Sequence, residues 1–195
     1  VGVSSSRVAN WWVPYGDLGN IGTSDVGPMY AALNNLDKFD IAVIMGGTND
    51  LAGNASAASV ATKLQQAATE IAAAGKWVFL MTLCPRTTDL LTGYTVTQQT
   101  SIRNRVQQVN DLLRTWIATN PANVFFVDYY NDIVGPNGID PAGLVSSTAS
   151  ANAGSSLGNY RTDAPGMVYF HDGLHPGPAA AYAMGKKLAE VIIAA

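Results

Sequence analysis

A histidine near the carboxyl end of the chain follows an aspartate at a spacing suited to acid–base chemistry. Asp172 lies three residues before His175, just ahead of a segment with helical periodicity. On a turn, the carboxylate can hold one imidazole nitrogen and leave the other as a general base, which must be neutral to act. The alternative is that His175 makes only local hydrogen bonds at the start of the helix. The second histidine, His171, has no sequence neighbour that would orient it in this way.

An amide side chain follows an apolar run in the first half of the chain. The segment 46–50 reads Gly-Gly-Thr-Asn-Asp. Glycines let a backbone approach a substrate closely, and the Asn49 amide can donate to a developing oxyanion. The alternative is that the Thr-Asn-Asp sequence only caps the following turn.

The elements that position these residues alternate between strand and helix. Continuously apolar runs predict buried strands at 40–45, 77–81 and 123–127. Apolar residues three or four apart predict the intervening helices. The predicted helices are one with Val60, Leu64, Ala67 and Ile71 on its buried face and Gly75 as its cap, one from about Gln98 to Ile117, and one from about Pro178 to Ile193. This order predicts an α/β fold with a parallel sheet, helices on both faces and ligands beyond the carboxyl ends of the strands.

Length and composition narrow the class of protein. The 195 residues fit a single domain, 1–195, and the balance of 13% charged to 48% hydrophobic residues is typical of a folded chain. A net charge of -3 argues against nucleic-acid partners and anionic membranes. The single cysteine, Cys84, excludes an internal disulfide framework and a cysteine-rich zinc site, and is most simply a buried apolar residue. Asp128, Asp132 and Asp140 lack the spacing of a calcium loop, so no metal site is expected.

Together, the two motifs resemble the SGNH or GDSL hydrolases. The strand at 40–45 with its Gly-x-Asn-Asp motif and the closing Asp-x-x-His before the last helix match the pattern of that family, and the resemblance runs from Asp40 to the end. It implies a flavodoxin-like three-layer α/β/α sandwich and ester hydrolysis by a Ser-His-Asp mechanism without metal or organic cofactor. Carried over, His175 is the general base, Asp172 its orienting carboxylate and Asn49 an oxyanion-hole donor.

The nucleophilic serine of the family lies in a Gly-Asp-Ser element on the first strand, and this sequence has no such element. The start of the chain can be aligned with the conserved sequence blocks of the family in two ways, called registers here. In the first register, the segment 2–6 resembles the second block, which carries the oxyanion-hole glycine. Ser5 then takes the place of that glycine, and the nucleophile lies upstream of Val1. The chain is then N-terminally truncated, and a slot beside the strand at 40–45 awaits the first strand or a separate segment. In the other register, Ser4 is the nucleophile in a degenerate element.

The spacing favours the first register. In the second register the first block ends at Ser4 and the second block begins at Asn20. The residues between them include two tryptophans, a proline and two glycines, which is a poor sequence for the crossover helix. A third alternative is a chain that has lost its nucleophile and only binds its ligand.

Two residues near the predicted ligand end are candidates for substrate binding. The Trp11 ring could stack on a sugar, although a packing role is the alternative. Arg86 follows the second strand and could meet a polar or anionic substrate group, or be merely structural.

Low charge and many small polar residues favour a water-soluble substrate. We therefore expect a carbohydrate O-acetyl esterase that binds a small-molecule or glycan ester. We also expect the protein to be secreted or extracellular. The alternatives are a short-chain carboxylesterase, thioesterase or lysophospholipase, and a non-catalytic carbohydrate-binding domain on the same fold.

Overall fold

The computed structural model describes residues 7–12, 27–84, 95–134 and 178–195. The chain divides into two compact units, one made of 1–83 and 108–126 and the other of 84–107 and 127–195. The first unit holds the sheet except for Val127, the last residue of its third strand, and the second unit holds the last helix. That the chain forms one N-terminally truncated domain stays a prediction.

The sheet has three strands in the order β1-β2-β3: β1 (Ile41–Ile44), β2 (Trp77–Met81) and β3 (Val124–Val127). β1 and β2 run parallel, with Ile41 opposite Trp77 and Ile44 opposite Leu80. β2 is fully apolar and buried beyond its first residue, as expected for a strand covered on both faces. The three predicted strands and the α/β class are confirmed.

The structure contains six α-helices in its described residues. They are α1 (Pro28–Leu33), α2 (Thr48–Ala52), α3 (Ala57–Ala73), α4 (Val96–Ile117), α5 (Tyr130–Val134) and α6 (Pro178–Ala194). Short 3-10 turns cover Val8–Asn10 and Leu36–Lys38.

The helix α3 connects the two parallel strands and packs on both. It begins where the Ser56 hydroxyl accepts the Ser59 N–H at 3.1 Å, and it ends before Gly75, whose φ of 78° suits a glycine cap. The four predicted apolar positions are all buried: Val60, Leu64, Ala67 and Ile71. The predicted helix and its cap are therefore confirmed.

The helix α4 begins two residues earlier than the predicted start at Gln98. Thr95 and Gln98 form a reciprocal capping box: the Gln98 N–H donates to the Thr95 hydroxyl at 3.2 Å, and the Thr95 N–H donates to the Gln98 side chain at 2.8 Å. Gln98 is thus the third residue of α4. The predicted start at about Gln98 was two residues too late because apolar spacing does not show a side-chain cap.

The last helix, α6, begins at Pro178 as predicted and ends one residue later than expected, at Ala194. Within the second unit it contacts α5, and Lys187 lies 3.9 Å from the Asp132 carboxylate. No helix in the described ranges is both long and apolar enough to cross a bilayer.

Candidate active site

The chain turns sharply at the carboxyl end of β1. Gly47 has a φ of 107°, in the left-handed region that favours glycine, and a Cβ built there would lie 2.3 Å from the Val60 side chain. Only glycine therefore fits at position 47, in the turn between β1 and α2. Asn49 follows in the first turn of α2, half-buried, beyond the end of the strand where a ligand-binding side chain was expected.

Asp50 ties this turn to a segment near the start of the chain. Its side chain is buried, with 4% of the residue exposed. One carboxylate oxygen accepts the Val8 N–H at 2.9 Å, and the other accepts the Ala9 N–H at 3.3 Å. The carboxylate therefore caps a 3-10 turn that lies 42 residues earlier. The alternative interpretation made this aspartate part of a cap on its own turn; the N-cap position of α2 is Gly47, without a side-chain cap hydrogen bond, and Asp50 binds the distant segment.

Trp11 fixes the same segment from its other end. The residue is 8% exposed, and its ring lies so close to Gly46 that a Cβ there would be 2.3 Å from the indole. The Trp11 carbonyl accepts the Tyr30 N–H at 3.0 Å. The space beside Gly46 is thus filled by the Trp11 ring and that beside Gly47 by the Val60 side chain, whereas the sequence predicted a close approach of substrate to these glycines. The structure shows packing for Trp11, and its contact with substrate stays a prediction.

The neighbouring Trp12 binds the segment to α3. Its indole N–H donates to the Glu70 carboxylate at 2.6 Å, and the Lys63 ammonium lies 4.9 Å from its ring centroid. The Gln66 amide donates to the other Glu70 oxygen at 2.7 Å. The residues 7–12 are therefore held against both α2 and α3, the two helices that follow β1.

A second polar contact organises the carboxyl end of β2. The Asn110 side chain is fully buried in α4 and hydrogen-bonds both the N–H and the carbonyl of Leu83. Sequence reasoning missed Asn110, although an amide beside Val109, on the apolar face of a helix, is a signal that a buried polar partner exists.

Cys84 and Tyr129 interact within the second unit. Burial raises the pKa of the Cys84 thiol to about 12, opposed in part by a hydrogen bond with the Tyr129 hydroxyl. Burial, and then the neighbouring Cys84, raise the pKa of Tyr129 well above its ordinary value. The thiolate needed for nucleophilic attack is disfavoured at neutral pH. Cys84 is half-buried, which agrees in part with the expected buried residue.

A groove of about 640 Å³ runs beside β1. Its walls are mostly apolar, and include Trp11, Met29, Ala32, Phe39, Ile44 and Ile71. The outward side chains of Ile41, Val43 and Met45 are 42 to 49% exposed. Among the described residues, β1 pairs only with β2. The groove therefore lies beside the strand for which a slot was predicted.

The other predicted site residues lie outside the described residues. These are His175, Asp172, Ser4, Ser5 and Arg86, and His171, to which no role was assigned, lies outside them as well. Their roles stay predictions, and the described part of the site is Asn49 with Asp50, Trp11 and the segment that they hold. Within the ranges that the structure describes, no three histidine, cysteine, aspartate or glutamate side chains are placed to bind a metal ion.

Several solved structures share the fold. A GDSL-like lipase from Bacteroides thetaiotaomicron is 19% identical with a TM-score of 0.57, over 84% of this chain and 66% of that one. A lipolytic G-D-S-L family protein from Veillonella parvula is 18% identical with a TM-score of 0.55, over 98% and 89%. A carbohydrate acetylesterase from Sinorhizobium meliloti is 13% identical with a TM-score of 0.57, over 98% and 75%.

The chain spans slightly less than two thirds of the length of the Bacteroides thetaiotaomicron structure, at 66%. No protein among those with curated functions matches the sequence. The model of the GDSL-like lipase/acylhydrolase family matches residues 2–183, nearly the whole chain. With the parallel strands, the flanking helices and Asn49 at the end of β1, this match means that the chain belongs to the GDSL-like lipase/acylhydrolase family.

Proposed function

We propose that this protein is a serine esterase that removes acetyl groups from carbohydrates. The observation that carries the proposal is the position of Asn49: its amide follows the carboxyl end of β1, and Asp50 holds the segment that follows Ser5 against the same turn. Asn49 is one proposed oxyanion donor, and the contacts of Asp50 fix its turn to residues 7–12, which follow the second proposed donor, Ser5, in the sequence.

The chemistry is acyl transfer to water. A serine attacks the ester carbonyl while His175 takes its proton, and His175 then returns that proton to the leaving alcohol. Asp172 orients the imidazole. The oxyanion is held by Asn49, by the N–H of Ser5 and by that of the nucleophilic serine, so the mechanism uses no metal or organic cofactor.

The nucleophile is a serine on a further strand, encoded before Val1, that pairs with the outer edge of β1. Support comes from the groove beside β1 and from the exposed Ile41, Val43 and Met45, which share one face of the strand. Parallel sheets are normally covered on both faces, so the crossover helix that accompanies a further parallel strand could pack on this face. The carboxyl ends of parallel neighbours meet at one edge of the sheet, so a serine at the end of that strand would face Asn49. Ser4 is the candidate within the chain.

A carbohydrate ester is favoured over a lipid. The Sinorhizobium meliloti acetylesterase and an acetylxylan esterase from Geobacillus stearothermophilus, with a TM-score of 0.50, share the fold. The low charge and the many small polar residues of the sequence point the same way. The remaining candidates are a short-chain carboxylesterase, a thioesterase or a lysophospholipase.

The test is hydrolysis by the full-length gene product of 4-nitrophenyl acetate, 4-nitrophenyl octanoate and an O-acetylated xylooligosaccharide. We expect turnover of both acetyl esters and little of the octanoate. Asn49→Ala should lower kcat about 10²- to 10³-fold. His175→Ala should lower it by about 10³-fold or more, whereas His171→Ala, the matched control, should stay near wild type.

Two results would replace the proposal. Faster cleavage of the octanoate would favour the lysophospholipase alternative. Background hydrolysis, together with glycan affinity that survives His175→Ala, would identify a carbohydrate-binding domain that kept the fold without catalysis.

A further inference from the structure

The buried face of α4 carries a charged side chain. Arg103 is 8% exposed and shares this face with Ile102 and Val106, which are also buried. Its Nη1 atom is buried, and no atom of the described residues accepts a hydrogen bond from it. Burial of a guanidinium is costly unless acceptors or an anion replace the water that it has lost. The chemistry of Arg103 therefore calls for an anionic partner.

Asn110 shows how a polar side chain on the same side of α4 is satisfied. It lies seven residues after Arg103, which is about two helical turns, so the two side chains leave the helix in nearly the same direction. Asn110 is fully buried, and its amide both donates to and accepts from the backbone of Leu83. Arg103 needs acceptors only, because all of its N–H groups are donors.

Two described carboxylates in the same unit have other partners. The Asp132 carboxylate lies 3.9 Å from the Lys187 ammonium. The Glu190 carboxylate lies 3.9 Å from Lys186 and 3.8 Å from Lys187. Neither of them forms an ion pair with Arg103 within the part of the chain that the structure describes.

We propose that Arg103 is the centre of a binding site for a small molecule that carries a carboxylate. The planar guanidinium presents parallel N–H groups that match the two oxygens of a carboxylate. The single negative charge of a carboxylate neutralises the guanidinium, whereas a phosphate dianion would bury a second charge that Arg103 cannot balance. The site is separate from the proposed function, and neither of the two tests below uses ester hydrolysis.

The stability of Arg103→Met separates a ligand site from an internal salt bridge. Methionine keeps a long unbranched side chain and removes the charge, so most of the packing is preserved. If no group of the protein neutralises the guanidinium, this variant of the full-length gene product should have a Tm equal to that of wild type or up to about 8 °C higher. A Tm below that of wild type would show that a carboxylate of the protein fills the position and would overturn the proposal.

Arg114→Met is the matched control. Arg114 lies on the same helix and pairs with the exposed Asp111 at 2.7 Å. Because surface pairs contribute little, this variant should have a Tm at or slightly below that of wild type, within about 4 °C.

Binding of defined carboxylates gives the second readout. Sodium acetate and sodium glucuronate are the probes, and sodium chloride at equal ionic strength is the reference for general salt effects. At about 100 times its Kd, a bound probe should raise the Tm of wild type and of Arg114→Met by about 5 to 10 °C and leave that of Arg103→Met unchanged. Isothermal titration calorimetry should give one site in the first two proteins and none in Arg103→Met.

Three results of the binding experiment would overturn the proposal. If neither probe binds the wild-type protein, Arg103 forms no carboxylate site. If binding survives in Arg103→Met, the carboxylate binds elsewhere. If inorganic phosphate stabilises the wild-type protein more than either probe at the same ionic strength, the ligand class is not a carboxylate.

Discussion

The Asn110 side chain forms a two-bond ring with the backbone of Leu83. The Leu83 N–H donates to Asn110 Oδ1 at 2.7 Å, and Asn110 Nδ2 donates to the Leu83 carbonyl at 3.0 Å. Leu83 lies two residues beyond the end of β2, and the Asn110 amide supplies the donor and the acceptor that the backbone of a neighbouring strand would supply. Both groups are buried, so this one side chain satisfies backbone atoms that water cannot reach.

Removal of this amide should destabilise the fold. Asn110→Ala leaves a buried N–H and a buried carbonyl without their partner, and we expect it to lower the free energy of unfolding by about 2 to 4 kcal/mol. Urea denaturation followed by circular dichroism measures the change. Asn104→Ala, at an exposed position of the same helix, should change it by less than about 0.5 kcal/mol. Equal effects of the two substitutions would remove the special role of Asn110.

A methyl group at Gly46 should displace Trp11. The added Cβ would lie 2.3 Å from Trp11 Cζ2, so the ring must move out of its buried position. We expect Gly46→Ala to lower the free energy of unfolding by about 1 to 3 kcal/mol and to shift the tryptophan emission of the folded protein to longer wavelength.

The control for that substitution is Gly185→Ala. Gly185 lies within α6 with no atom within 4 Å of an added Cβ, so the alanine should stabilise the protein by about 0.5 to 1 kcal/mol. An unchanged emission spectrum in Gly46→Ala would argue against the observed packing.

Alkaline pH should weaken the fold through Cys84. Burial raises the pKa of this thiol from 9.0 to about 12. The unfolded chain then loses the thiol proton near pH 9.0, while the folded chain retains it toward pH 12. The contribution of the protonated thiol to the free energy of unfolding is therefore fully present below pH 9.0 and is lost as the pH rises toward 12. Cys84→Ala should therefore show a shallower loss of unfolding free energy over this range, measured by urea titration at several pH values. Identical slopes in wild type and Cys84→Ala would contradict the shifted pKa.

A charge on the exposed face of β1 tests whether a further helix of the full-length protein covers this face. Val43 is 49% exposed in the described structure, where a lysine would be tolerated. If a helix of the full-length protein packs on this face, Val43→Lys should lower the free energy of unfolding by about 2 kcal/mol or more, because the ammonium loses water. Val43→Thr keeps the β-branched shape and should cost less. A lysine variant as stable as the threonine variant would argue against a covering helix.

The elements were predictable where the pattern is local. β2 is a continuous apolar run that begins two residues after Gly75, and α3 has apolar residues at every third or fourth position. The sequence alone therefore predicts the strand and the helix. The predicted start of α4 lies two residues too late, because Thr95 and Gln98 cap the helix through their side chains and apolar periodicity contains no information on such caps.

The site was predictable only in part. Asn49 was located because it directly follows an apolar strand, and ligands bind beyond the ends of such strands. The contacts of Asp50 with Val8 and of Asn110 with Leu83 span 42 and 27 residues, so no local spacing reveals them. Both depend on how the packed elements bring distant backbone to a buried side chain.

The most direct measurement of the central claim is covalent labelling of the full-length protein with a fluorophosphonate, followed by mass spectrometry of its peptides. Such probes form a stable adduct with a serine activated by a neighbouring base. We predict one labelled serine, with labelling abolished in His175→Ala, slowed in Asn49→Ala and unchanged in His171→Ala. A protein that remains unlabelled, or whose labelling persists without His175, would contradict the assignment as a serine esterase.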